Sequence, residues 1–439
     1  MTDVANTLGT SSLNALAKKV YAGEEEKLFI TEQSTTVANT IKFVKGSMRP
    51  GDDFNQPVVL SREQGMTFNI GTSADAFALN ATVPSVSKNA SVKGSEFVLR
   101  ATLSYGAMAR LKGSEGEDNE RAFRMGTQFV IENLRDTSFW AREISLLYGG
   151  GDAASATGTE GIGLISVGGG GGATSQTLTI SLASYADGIW AGMEGAFIDI
   201  YDTTLVTMRN DPLRTIQVTA VNLDGRTITV TGTGADLDTV VATDKVFLKG
   251  AKAAEMNGLV KIQKNTGSLF GISASTYGLW AATTYDAGSG AASFDKIMRA
   301  MVKPANRGAG GEMVYFCPNN AWIDMMNDLS ALRRFSDKGN GSIEQGANEL
   351  AFYGPNGMVA RFKPSPMVKN SYLIGINTRQ VVRVGATDDT RRLPGSQTDD
   401  FFFQTAGYAG VELRRYWNQA VFCRRPASMN LVYNVVSST

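Results

Sequence analysis

The stretch Ser114–Tyr148, SEGEDNERAFRMGTQFVIENLRDTSFWAREISLLY, contains the clearest structural pattern in the sequence. Ser114 followed three residues later by Glu117 forms a capping box, which marks the start of a helix. Gly149-Gly150-Gly151 would end the helix, and at 1.5 Å per residue its length would be about 50 Å. Apolar residues recur at helical spacing without an intervening proline, at Phe123, Val130, Leu134, Ala141 and Ile144. This pattern predicts a molecule built along one long rod.

The chain before this helix contains few residues that would bury one another. Residues 1–50 are predicted to form an N-terminal arm, because their apolar residues follow no strong period. Within residues 51–105, strand-like alternation occurs at Pro57–Leu60, Met66–Ile70 and Glu96–Arg100, and a long polar stretch fills the interval. Excursions of this length usually have a partner or a function. Residues 51–105 are therefore predicted to form an extended β-loop that contacts another molecule.

The chain after the helix changes in character twice. The glycine run Gly168–Gly172 is predicted to act as a hinge, as is Gly149–Gly151. Residues 106–174 would hold the helix and a peripheral domain, whereas residues 175–252 contain short strands around an Asp224-Gly225 turn. Residues 253–439 mix helices and strands, with a helix at Ser293–Val302 and a strand at Glu312–Phe316. The predicted fold class is α+β, with a small β-barrel inserted at residues 175–252.

The composition argues against several function classes. Lysine plus arginine equals aspartate plus glutamate at 42 each, and this zero net charge is unlike that of a dedicated nucleic-acid binder. Histidine is absent, which removes the commonest general base and zinc ligand. Cys317 and Cys423 are too few for a disulfide scaffold and are expected to be reduced. Since neither a signal peptide nor an apolar membrane span is evident, we expect a soluble protein made inside the cell.

The motifs that carry chemistry are weak in this sequence. Gly168-x-Gly170-x-x-Ala173 loosely matches a dinucleotide fingerprint, but no strand precedes it and no helix follows. Adjacent acids occur at positions 52–53, 388–389 and 399–400. Such pairs can bind calcium or act as acid and base, although in glycine-rich loops they are more often solvated turns. We expect no catalytic activity, no metal and no cofactor.

Six charged residues are the candidates for contacts between subunits: Lys88, Lys93, Glu96, Arg100, Arg414 and Arg415. The two lysines lie in the polar excursion, where they would meet carboxylates of a neighbour or form an isopeptide crosslink to it. The arginine pairs at 414–415 and 424–425 flank aromatic residues, as in a nucleic-acid patch. Because successive strand residues point to opposite faces, each pair would be divided between two faces, which favours ion pairing between subunits.

The order of arm, β-excursion, long helix, β-insertion and α+β region resembles the major capsid proteins of tailed bacteriophages with the Hong Kong 97 type fold. The resemblance implies that Pro57–Arg100 is the extended loop, that Ser114–Tyr148 is the spine helix, and that residues 253–439 supply peripheral and axial domains. It further implies homo-hexamers and homo-pentamers that form an icosahedral shell around double-stranded DNA. Expected partners are scaffolding and portal proteins and a cement protein. The expected location is the virion, after assembly in the host cytoplasm, without a membrane.

Two other classes of protein remain open from the sequence. An encapsulin-like nanocompartment would share the fold but enclose cargo enzymes. A β-rich tail or adhesin protein would explain the glycine, threonine and strand content, but it would not explain a capped helix of this length. A shell protein accounts for more of the pattern than either alternative.

Overall fold

The computed structural model describes most of the chain. The described residues are 36–45, 53–69, 77–106, 117–151, 158–328, 350–390, 403–404 and 409–437. The capping residue Ser114 therefore lies outside the described residues, as does most of the predicted arm.

The α-helices of the described residues are α1 (Thr36–Thr40), α2 (Glu117–Tyr148), α3 (Asp187–Trp190), α4 (Gly234–Leu237), α5 (Leu259–Lys264), α6 (Phe294–Asn306) and α7 (Asn319–Asn327). The strands up to the long helix are β1 (Phe43–Lys45), β2 (Asp53–Val59), β3 (Ser87–Lys93) and β4 (Ser95–Ser104). The strands of the middle region are β5 (Gly163–Val167), β6 (Ser175–Ile180), β7 (Phe197–Tyr201), β8 (Ile216–Asn222), β9 (Thr227–Thr231) and β10 (Lys245–Leu248). The strands of the C-terminal region are β11 (Ser268–Leu269), β12 (Ile272–Ser273), β13 (Thr283–Gly290), β14 (Glu312–Cys317), β15 (Leu350–Tyr353), β16 (Val359–Pro364), β17 (Leu373–Asn377), β18 (Val381–Thr390), β19 (Phe403–Gln404), β20 (Gly410–Cys423) and β21 (Asn430–Val435).

The long helix α2 is present and ends at Tyr148, as the sequence predicts. Its 32 residues span about 48 Å. Val130 and Leu134 pack against Leu103 of β4 and Leu413 of β20, while the last turns enter the main core. The helix therefore connects two separate hydrophobic clusters, which is how one rod can support an extended molecule.

The glycines after α2, at which the sequence predicts a hinge, are points of close packing in the structure. The Gly149 amide donates to the Ser145 carbonyl, and its own carbonyl accepts from Gly258 at 2.9 Å. A Cβ at Gly149 would meet the backbone oxygens of Met256 and Ser145. Glycine is required here because the segment around Met256 lies directly on the end of the helix.

Replacing Gly149 with alanine is expected to lower the free energy of unfolding by about 1–3 kcal/mol, since backbone atoms must move to admit the methyl group. Urea denaturation of the purified chain measures the change. Gly170→Ala is the matched control, because a Cβ there would have no heavy atom within 4 Å. Equal effects of the two substitutions would contradict the packing explanation.

The middle region contains a closed six-stranded barrel with the order β10-β5-β6-β9-β8-β7. The hairpin of β8 and β9 turns around Asp224-Gly225, as predicted. The barrel begins with β5, one strand before the predicted boundary at residue 175. Its filled interior contains Ile165, Leu178, Ile180, Ile198, Ile200, Ile216, Val218, Ile228, Val230 and Val246, all buried.

The glycine run Gly168–Gly172 joins β5 to β6 inside this barrel, so it does not connect the barrel to the helix as a hinge. Gln176 holds the run through its side chain, which accepts from the Gly170 amide at 3.1 Å and donates to the Gly170 carbonyl at 3.2 Å. The Gly172 amide donates to Asp238 at 2.5 Å. The run is therefore a hydrogen-bonded hairpin loop.

The C-terminal region builds a six-stranded mixed sheet with the order β13-β21-β17-β14-β16-β15. The predicted helix and strand both occur here, as α6 and β14. Helix α6 packs on the sheet through Ile297, Ala300 and Met301, which are fully buried. Cys317 and Cys423 are both buried and free, and burial raises the pKa of each thiol.

A five-stranded sheet carries β1-β18-β20-β19, and β4 also pairs with β20. Hairpin β2–β3 leaves this region as the predicted extended loop. The expected strand at Met66–Ile70 is wrong over its described residues 66–69, which form no strand. Beyond β2 and β3 the hairpin continues through the Leu60 amide, which donates to the Val86 carbonyl, and through the bridge of Gln64 with Val83. Met66 and Phe68 are both mostly exposed, so their alternation gains little burial from a regular strand there.

Candidate assembly surfaces

The distal part of hairpin β2–β3 exposes large apolar side chains. Phe68 is 88% exposed, Leu79 78% and Met66 65%. Polar contacts hold the backbone in this shape: the Asn80 amide donates to Thr67 Oγ1 and the Asn80 side chain donates to the Met66 carbonyl, both at 2.8 Å. The apolar groups are therefore presented outward by an ordered backbone. Several large apolar side chains exposed together on one element are typical of an interaction site.

The base of the hairpin is firmly attached to the rest of the chain. The rings of Phe54 and Phe422 lie 5.2 Å apart, and Ala90 and Val92 are buried. The Ser91 amide donates to the Phe270 carbonyl at 3.0 Å. A fixed base means that the position of the exposed tip is determined by the core.

The ribbon of β4 and β20 has one covered and one open face. Leu99, Ala101 and Leu103 point toward helix α2, in the cluster around Val130. The alternate residues point away from the helix: Val98 is 57% exposed, and Glu96 and Arg100 are exposed as well. This outward face of β4 and β20 is the second candidate surface.

Arg100 and Arg414 occupy directly opposite positions on this outward face. Opposed like charges on neighbouring strands destabilise a sheet unless an anion compensates them. Arg414 has such an anion, since its Nε donates to Glu412 at 2.6 Å. The side chain of Arg100 points outward, where it can meet a carboxylate from outside the chain.

Arg415 lies on the opposite face from Arg414, as strand alternation predicts. Its guanidinium donates to both carboxylate oxygens of Asp389, at 3.2 and 2.7 Å, and it is 8% exposed. Asp388 accepts from Arg383 at 2.6 Å and from Arg142 of α2 at 3.2 Å. The sequence places Arg415 among the contacts between subunits, whereas the structure gives it an internal partner. The acidic pair Asp388-Asp389 is thus an ion-paired centre and not a solvated turn, with Asp389 nearly inaccessible and Asp388 partly exposed.

The remaining candidates lie on or near the two surfaces. Glu96 accepts from the Tyr416 hydroxyl at 3.0 Å. The ammonium of Lys88 lies 5.4 Å from the centre of the Tyr277 ring. Lys93 lines a cavity of about 650 Å³ between β3 and the segment 254–271. Glu255, in the same cavity lining, accepts from Ser145 at 2.9 Å, and burial raises its pKa to about 7.

A second ionic cluster, which the sequence analysis did not find, joins the root of the barrel to the core. Lys264 pairs with Glu160 at 2.7 Å, and Lys369 lies 4.3 Å from the centre of the Tyr148 ring. Burial raises the pKa of Glu160, but Lys369, Lys264 and Lys245 outweigh it and lower the pKa to about 2. Burial lowers the pKa of Lys369 to about 8. The cluster attaches the barrel to the core. Its only signal in the sequence is the single lysine Lys369 next to the apolar residues Met367 and Val368.

No group of three or more histidine, cysteine, aspartate or glutamate side chains is placed to hold a metal ion in the described ranges. No helix among the described residues combines the length and the hydropathy that a membrane crossing needs.

Comparison with known proteins finds similarity only at the level of structure. No family model and no curated protein matches the chain. Among solved structures, a chain of the cyanophage A-1(L) capsid asymmetric unit is similar with a TM-score of 0.53 and 10% identity, over 95% of this chain and 96% of that chain. A chain from mycobacterium phage Bobi has a TM-score of 0.46 and 10% identity, over 98% of this chain and 100% of that chain. A chain of the holo-SrpI encapsulin complex from Synechococcus elongatus has a TM-score of 0.39 and 10% identity, over 95% of each chain. At such identities the likeness is one of fold, and this chain has the fold of the cyanophage capsid chain.

Proposed function

We propose that this chain is the major capsid protein of a tailed bacteriophage, and that it assembles as hexamers and pentamers into an icosahedral shell around double-stranded DNA. The observation that carries the proposal is the hairpin β2–β3. Its base is buried in the chain, and its tip presents Phe68 and Leu79 to solvent. The free energy of burying these exposed apolar side chains becomes available only when another subunit covers them in an assembly.

In finer detail, we assign the Hong Kong 97 type fold with an inserted barrel. Hairpin β2–β3 would be the extended loop, α2 the spine helix, and strands β5 to β10 the insertion. The mixed sheet with α6 and α7 would be the axial domain, and the sheet of β18 and β20 would belong to the peripheral domain. The structural similarity to the cyanophage chain, with a TM-score of 0.53 over 95% of this chain, supports the overall arrangement.

The contacts between subunits would involve Lys88, Lys93, Glu96, Arg100 and Arg414. Arg100 is the strongest of these candidates, because it is exposed on an open face, whereas Arg414 opposite it already pairs with Glu412. A carboxylate of a neighbouring subunit would compensate the charge of Arg100. Arg415 is left out because Asp389 already neutralises it.

The charge balance suits this function. Forty-two basic and forty-two acidic residues give no net charge, so many copies can pack closely without strong mutual repulsion. A surface without a basic excess also binds DNA weakly, which would let a packaged genome move against the wall. The scaffolding, portal and cement proteins of this scheme would be separate chains, and the shell would form in the host cytoplasm.

Negative-stain electron microscopy with light scattering on the purified protein tests the proposal. We expect closed shells, or rings of five and six copies, from the chain alone or when it is co-expressed with the scaffolding protein of the same phage. Shells that enclose a co-purifying enzyme would instead assign the chain as an encapsulin-like compartment. A chain that stays monomeric under both conditions would contradict a shell function.

A further inference from the structure

Residues 36–45, called the arm strap here, contain helix α1 and strand β1. Val37, Ala38 and Ile41 are buried against the rest of the chain. Strand β1 pairs in parallel with β18, with Phe43 opposite Arg383. The strap thus covers both an apolar site and the edge of a sheet.

Glu143 of the long helix holds the first turn of the strap. One carboxylate oxygen accepts from the Val37 amide at 2.7 Å, and the other accepts from the Ala38 amide at 2.9 Å. These amides are among the N–H groups that a helix start leaves without an internal partner. The Glu143 side chain is itself fully buried. The strap therefore docks onto an ionisable group that is hidden from water.

The two arginines nearest to Glu143 form their ion pairs with another carboxylate. Arg142 and Arg383 both act on it, but both also pair with Asp388, at 3.2 and 2.6 Å. Helix α1 carries no ionisable side chain. Lys363 of β16 also reaches the strap, where its ammonium donates to Thr40 Oγ1 at 3.1 Å, and Lys42 lies in the strap itself. Further ionisable groups on the elements packed around the strap include Asp389, Arg415 and Tyr148.

Burial raises the pKa of Glu143 to about 7, although the two amides and the two arginines lower it in part. When the strap leaves, water reaches the carboxyl group, and its pKa returns toward the ordinary value of 4.5. Protonation leaves the carbonyl oxygen as an acceptor for one amide, makes the hydroxyl oxygen a weaker acceptor for the other, and removes the charge assistance from both hydrogen bonds. Protonation thus weakens the two hydrogen bonds but removes the cost of a buried charge.

We propose that docking of the arm strap is coupled to protonation of Glu143, so that the strap docks with uptake of a proton and is released when the carboxylate forms. The docked pKa lies above the undocked pKa, so docking is strongest at low pH and weakens as the pH rises through about 7. Release would uncover the edge of β18 at Arg383 and the site of Val37 and Ala38. These events occur within one chain and do not require the assembly proposed above.

Hydrogen exchange of the peptide containing residues 36–41, measured by mass spectrometry on the unassembled full chain, tests the proposal. After correction for intrinsic exchange rates, we expect protection to fall about tenfold between pH 6 and pH 8.5. In Glu143→Gln the side chain is neutral at every pH, and we expect protection independent of pH. Glu255→Gln is the matched control, since burial raises the pKa of Glu255 to about 7 as well but its partner is Ser145.

Glu255→Gln is expected to keep the tenfold change. Protection that stays constant or increases with pH in the unsubstituted chain would overturn the proposal, and this measurement does not depend on whether any variant folds. A pH dependence that persists in Glu143→Gln, or that disappears in Glu255→Gln, would overturn it too.

Discussion

Replacing Phe68 and Leu79 together with aspartate is expected to abolish shell formation and to leave the stability of the single chain unchanged. The two side chains are 88% and 78% exposed, so the folded chain loses little when they become charged. Burying a large apolar side chain contributes about 1.5–3 kcal/mol. An aspartate at the same contact brings a desolvation cost instead, and the loss is repeated at every copy in the shell. Electron microscopy measures the yield of shells, and thermal denaturation measures the stability of the chain.

Leu213→Asp is the matched control for this experiment. Leu213 is 94% exposed on the barrel, and its substitution introduces one aspartate, half the charge of the hairpin variant, at an equally open leucine away from the hairpin. We expect it to permit assembly. If the hairpin variant assembled normally, the tip would not be a contact between subunits, and the main support for the capsid proposal would be lost.

Replacing Asp389 with alanine is expected to destabilise the chain by about 3–5 kcal/mol, which is the cost of leaving a buried charge without its partner. The pair of Asp389 and Arg415 is nearly inaccessible, with side chains 7% and 9% exposed. Ser138 of the long helix also donates to Asp389, at 3.3 Å. The substitution therefore loosens β18, β20 and α2 at one point, and chemical denaturation reports the loss.

Removing both partners, as in Asp389→Leu with Arg415→Met, is expected to recover most of that stability, since no buried charge is left uncompensated. Asp295→Ala is the surface control. Asp295 pairs with Arg299 at 2.7 Å, but both side chains are 67% exposed, so solvent screens the pair and its loss should leave the stability almost unchanged. If Asp389→Ala and Asp295→Ala lowered the free energy of unfolding equally, burial would not be the reason why the pair of Asp389 and Arg415 is strong.

The parts of the fold that were predicted correctly depend on local periodicity. The end of helix α2 at Tyr148 follows from apolar spacing and the glycines after it, and the β8–β9 hairpin follows from Asp224-Gly225. The extended hairpin was predicted because residues 51–105 contain too few apolar residues to form a core. Each of these patterns lies within a few dozen residues, where sequence spacing alone determines which side chains share a face.

The hinge predicted at Gly149–Gly151 illustrates why features that depend on distant contacts could not be predicted from the sequence. Glycine is needed there because the backbone of Met256 lies against the end of the helix, and this neighbour is more than one hundred residues away in sequence. The expected strand at Met66–Ile70 failed over residues 66–69 for the converse reason: Met66 and Phe68 are left largely exposed in the folded chain. A local pattern does not reveal whether a distant segment packs on it.

The features of the candidate surfaces likewise fall into those that the sequence predicts and those that depend on tertiary contacts. The sequence by itself determined the long helix, the protruding hairpin, and the placement of Arg414 and Arg415 on opposite faces, because these follow from helix and strand periods. Only the tertiary structure decided that Arg415 is neutralised by Asp389, and that Glu143 receives the amides of Val37 and Ala38. The physical reason is that the pKa of a buried charge and the partner that it selects depend on the segments that enclose it, and those segments come together only when the chain folds.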